Sequence, residues 1–154
     1  MTMLLLCLFS GNILASEKHW AERDLHDLQD NYQIEVRGDL DQPAETELQE
    51  KIFKLINITK KPQQELLRYK MFYYMVEALA IKTLEEEECD EILQDFKDRC
   101  EYCIKANQTL GKAKKVGILQ GRSTKEGLMM AVDEPITRAE IGVLAVRYLK
   151  IREK

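Results

Sequence analysis

Two groups of residues have the types and spacing that chemistry requires. The first is Cys100-Glu101-Tyr102-Cys103, two thiols three positions apart. On a helix this spacing places both sulfurs on one face, suited to redox exchange or to half of a metal site. A structural zinc site takes four ligands, so Cys89 with His19 or His26 would have to complete it. A redox pair is usually set where a strand runs into a helix, whereas the surroundings here read as helical, and thiols without a chemical role are the alternative. The second group is Pro135-Ile136-Thr137-Arg138-Ala139-Glu140. With Thr137 as N-cap, its hydroxyl accepts from the N–H of Glu140, and the Glu140 carboxylate accepts from the N–H of Thr137. Ile136 before the cap and Ile141 after it have the spacing of a hydrophobic staple. Arg138 is left on the first turn with no capping duty. A guanidinium fork there suits a carboxylate, and the helix N-terminus beneath it adds positive partial charge.

Nothing else points to catalysis. Both histidines fall in the first helical stretch, no Ser or Cys sits in a nucleophile elbow, and no pair of carboxylates is singled out. The expectation is a non-enzyme with no cofactor and no metal. The net charge of -4 offers no broad basic field for nucleic acid or an anionic membrane, so anion binding has to be local. Lys112, Lys114, Lys115 and Arg122 form a local basic patch or simply a solvated helix end.

The elements that must position these groups read as helices. A chain of 154 residues, 45% hydrophobic, has enough apolar material for one core. Residues 1–15 differ from the rest, with an apolar run from Met3 to Phe9 and Ile13-Leu14-Ala15 before Ser16 as a cleavage site. They read as a secretory signal, although no Lys or Arg precedes the run. Export follows, with no membrane as a partner once the segment is removed. The remaining Cys89, Cys100 and Cys103 are odd in number, which argues against a disulfide framework. Ala21, Leu25, Leu28 and Tyr32 make a first helical stripe, and Leu48, Ile52, Leu55 and Ile56 a second. Leu67, Met71, Tyr74, Ala78 and Ile81 make a third. Glu85 to Glu88 read as a solvated helical start, Cys103 to Gly117 as a fourth long helix and Gly121 to Gly127 as a loop. Leu144, Tyr148 and Ile151 extend the last buried face. The fold class is all-α.

Gly117-Ile118-Leu119-Gln120-Gly121, the polar loop, Pro135 to Glu140 and the helix ending in Tyr148-Leu149-Lys150-Ile151 resemble the second part of an S-layer homology (SLH) repeat. Phe96-Lys97-Asp98 stands where such a repeat opens, so this best-matching copy spans 96–154. His19-Trp20-Ala21 resembles the family's opening His-Trp-Ala, and 16–58 is a degenerate copy in which Pro43-Ala44-Glu45-Thr46-Glu47 lacks the motif arginine. Residues 59–95 are a diverged or half repeat. There, Leu66-Leu67-Arg68-Tyr69-Lys70 keeps the arginine but has Lys70 in place of the closing glutamate.

The resemblance implies helical repeats packed as a pseudo-symmetric bundle with irregular loops, and non-covalent attachment to a secondary cell-wall polymer or modified peptidoglycan at the cell surface. It implies that Arg138 and Arg68 meet an acidic group of the polymer, such as a ketal-linked pyruvate. Trp20, the sole tryptophan, is either core or the aromatic wall of a sugar groove. Gly117 and Gly121 would permit the turn beside that groove. Ile136, Thr137 and Glu140 would build the motif itself. The alternative is a repeat module that has lost its sugar and binds another surface protein.

Overall fold

The computed structural model describes residues 19–100 and 103–154; the expected signal segment 1–15 lies outside them. Among the described residues six helices follow in order: α1 (Glu22–Tyr32), α2 (Thr46–Leu55), α3 (Arg68–Ala78), α4 (Glu86–Leu93), α5 (Ile104–Lys115) and α6 (Arg138–Arg152). A hairpin of β1 (Arg122–Thr124) and β2 (Gly127–Met129) intervenes between α5 and α6. The described residues are thus mostly helical, but the expected loop over Gly121 to Gly127 is in part a two-stranded antiparallel ribbon. Thr124 pairs with Gly127 across a two-residue turn, and Gly127 takes φ +125°, where a side chain would be strained. Strands of three residues are too short to display a period-two pattern.

α6 lies at the centre. Every residue from Ala139 to Val146 is buried, as is Tyr148, so the helix is enclosed on all sides and not merely along one stripe. α1 and α2 pack on it. At Gly142 an added Cβ would come within 2.5 Å of Leu25 Cδ2, so a glycine that weakens a helix interior by about 1 kcal/mol is what allows α1 this close. α5 packs against α3 and α4. The buried face of α3 is Met71, Phe72, Met75 and Val76, one step round from the expected Leu67, Met71, Tyr74, Ala78 and Ile81 stripe, because Tyr74 turns its hydroxyl to Gln63 Nε2.

Three short extended segments, each just before a helix, are stitched together at the core. The Ala44 N–H donates to Ile136 C=O at 2.9 Å, and the Ile136 N–H donates to Leu66 C=O at 2.8 Å. The same backbone pattern recurs on both sides of residues 135–137. Arg138 and Ala139 N–H donate to Gln42 and Leu40 C=O, while Arg68 and Tyr69 N–H donate to Glu134 and Val132 C=O. In each case the first-turn N–H groups of a helix, which have no partner within it, are satisfied by another segment's loop. Gln49, fully buried, joins α2 to the connector before α3 through Ala44 C=O, Gln63 C=O and the Gln63 N–H.

Cys100 and Cys103 are not on a helix. They precede α5, with Cys103 as its N-cap, and are joined by a disulfide with Cα atoms 5.4 Å apart. The odd cysteine count concealed this short-range pair. Among the described residues Cys89 is the free thiol, and it is buried; burial pushes its ionisation up, away from reactivity.

Candidate functional site

The motif before α6 forms its capping box. The Glu140 N–H donates to Thr137 Oγ1 at 3.2 Å, and the Thr137 N–H donates to Glu140 Oε2 at 3.1 Å. Glu140 then does a second task that the sequence reading missed. Its other oxygen, Oε1, accepts from Arg122 Nε at 2.7 Å and from Arg68 Nη1. Burial alone would raise the Glu140 carboxyl, but the Arg122 hydrogen bond, the Arg68 charge and the Thr137 N–H together hold it below the usual carboxylate range.

Arg68 is therefore not a surface group. It is 5% exposed, its Nε donates to Met130 C=O at 3.1 Å and its Nη1 to Glu140. The expectation that it meets an external acid is corrected: the carboxylate it meets is internal, Glu140, 72 residues on. Lys70 itself donates to Gln63 Oε1. Arg138 is not left without partners either. Its Nε donates to Glu45 at 2.6 Å and its Nη1 to Asp39 C=O at 3.2 Å. An added Cβ at Gly38, where φ is +81°, would reach 2.5 Å from Arg138 Nη1, so that glycine seats the guanidinium.

Trp20 is 60% exposed. The choice left open by sequence, core or platform, falls to the surface, because Ala21 and not Trp20 turns inward to meet Leu25, Ala139 and Val143. The indole is steadied from behind. His19 Nδ1 accepts from the Ala21 N–H, so Nε2 carries the proton shared with Asp41, 3.3 Å away. The His19 and Trp20 rings lie 5.5 Å apart.

Trp20 lines an open groove of about 490 Å³ with Asp41, Pro43, Arg122, Glu134, Pro135 and Thr137. A smaller recess, about 50 Å³, continues inward past Trp20 to Arg68, Phe72, Gly121, Arg122, Glu140 and Arg147. A second open cleft of about 540 Å³ lies between the hairpin and residues 131–134. Its floor is fixed by Asp98, whose two carboxylate oxygens accept from the Met130 and Ala131 N–H groups. Arg122 lines all three.

Comparison with protein-family models, with curated proteins and with solved structures finds no match.

The remaining sequence candidates separate. Gly121, at φ +83°, lines the inner recess, and an added Cβ would reach 2.5 Å from Phe96 Cε1. Gly117, at φ +89°, has open space around it and ends α5, which is a turn requirement only. Ile136 is buried in the core and lines none of the three cavities. The basic patch disperses: Lys115 pairs with Glu88, Lys114 lies over the Phe96 ring, and Arg122 turns to the groove. Arg122 was grouped with surface lysines in the sequence because nothing local marks it. Its importance comes from Glu140 and Glu134, 18 and 12 residues away.

Proposed function

We propose that the chain is an exported SLH-like repeat protein that binds non-covalently to an acidic cell-wall polysaccharide or modified peptidoglycan at the cell surface, and that it is not an enzyme. The observation that carries this reading is Trp20, the sole tryptophan, standing exposed at the edge of an open groove that also holds the Arg122 guanidinium. An exposed indole face stacks on a sugar ring, and an arginine fork reads an acidic substituent. The repeat organisation is supported by the two matching hydrogen-bond sets, with Arg138 and Ala139 on Gln42 and Leu40, and Arg68 and Tyr69 on Glu134 and Val132. Stacking of units that cannot bury their apolar faces alone would account for them.

The direct test is co-sedimentation of the chain from Ser16 onward with purified cell-wall sacculi, before and after acid removal of the secondary polymer. Pelleting is expected with the untreated wall alone. Trp20→Ala should abolish it while unfolding as the parent does, since an indole this exposed contributes little to the core. No pelleting with either wall overturns the polymer reading and leaves the rival, a helical repeat module for another surface protein.

A further inference from the structure

Four charged side chains line the inner recess behind the outer groove, Arg68, Arg122, Arg147 and Glu140, and of these Arg147 donates to Ile118 C=O. Arg68 and Arg122 bring two positive charges to Glu140, which is buried and supplies one negative charge. The second positive charge is balanced from the surface, by Glu134, whose Oε2 accepts from Arg122 Nη1. The two carboxylates differ in setting. Glu140 is tied by the capping box and by both arginines, whereas the Glu134 side chain is 58% exposed and has Arg122 as its ion-pair partner. An exposed ion pair of this kind is weakly held, because water competes for both charges.

We propose that Glu134 is an internal stand-in for the ligand's carboxylate, and that Arg122, not the motif arginines Arg138 and Arg68, is the group that receives the acidic substituent of the polymer. This rests on the polymer reading above and deepens it. An incoming carboxylate replaces Glu134 on Nη1 one for one, so the buried charge is unchanged and Glu140 keeps Nε oriented. Glu134 swings to solvent, where its ionised form is fully hydrated. Trp20 lines the same groove, so the sugar ring that bears the carboxylate has its platform beside the guanidinium. Asp41, the other acid on the groove, is engaged by His19. Glu134 thereby sets selectivity: a neutral glycan gains nothing from displacing it, and an acidic one exchanges like for like.

The experiment is a titration of the protein's single-tryptophan fluorescence with a methyl glycoside bearing a pyruvate ketal, and with the same glycoside lacking the ketal. Glu134→Gln should bind the acidic glycoside more tightly than the parent, by up to about five-fold, the ceiling an exposed pair allows, with no change for the neutral one. Arg122→Gln, checked for folding by circular dichroism, should lose the preference for the acidic glycoside. Equal affinity of parent and Glu134→Gln, or a preference that survives Arg122→Gln, overturns the proposal. If the parent pellets with intact sacculi yet neither protein responds to the acidic glycoside, the polymer reading stands and the Arg122 assignment falls. If the parent does not pellet at all, both fall together.

Discussion

Arg68 and Arg138 occupy the same place on two helices, the first turn after an extended segment, and their backbone N–H groups make the same kind of bond to a neighbouring loop. Their side chains have opposite fates. Arg68 is buried on Glu140, while Arg138 lies toward the rim on Glu45, its side chain 24% exposed. The difference lies in what the receiving segment offers three residues past its cap. Before α6 that position is Glu140; before α2, with Glu45 as cap, it is Leu48, which is buried in the core. Arg68 therefore finds an internal carboxylate and is drawn inside, and Arg138 finds only the cap residue at the edge. A buried charge needs a buried counter-charge, and a rim charge does not.

The largest break in this comparison should come from Glu140→Ala. It leaves Arg68 buried without its carboxylate and dissolves half of the capping box, so denaturant unfolding should show a loss of about 3–5 kcal/mol. A loss under 1 kcal/mol would mean the buried pair is not what holds α3 to α6. Acid should have the next largest effect. The Glu140 carboxyl is lowered in the folded chain relative to its ordinary value of 4.5, so its contribution is complete above pH 4.5 and is lost as pH falls below 4.5 through the folded value. Unfolding free energy followed across that window should fall less steeply in Glu140→Gln than in the parent, the residual slope coming from Asp27, Glu35 and Glu45, which are also lowered.

Thr137→Ala removes the cap hydroxyl and leaves both arginines in place. The expected cost is about 1 kcal/mol by thermal or denaturant unfolding, and a much larger one would show that the cap and the buried pair act as a unit. Arg138→Ala should have the smallest effect, at most about 1 kcal/mol, as for other partly exposed pairs. If it destabilises the protein as much as Glu140→Ala does, the contrast between rim and interior is wrong.

What was legible in the sequence was local. The capping box, the last helix and the turn glycines could be read because each depends on residues within a few positions of one another. α1, α2 and α5 were legible because apolar residues recur at helical spacing. The hairpin was not, since three-residue strands carry no period, and the disulfide was not, since Cys100 and Cys103 were read onto a helix that begins only at Ile104. Tertiary structure alone decided what each arginine does. Arg68, Arg122 and Arg138 are equivalent as letters, and their partners Glu140, Glu134 and Glu45 stand 72, 12 and 93 residues away. Sequence determines where a helix starts because hydrogen bonds close within a turn; it does not show which charge is buried, because that depends on whether folding brings a carboxylate to meet it.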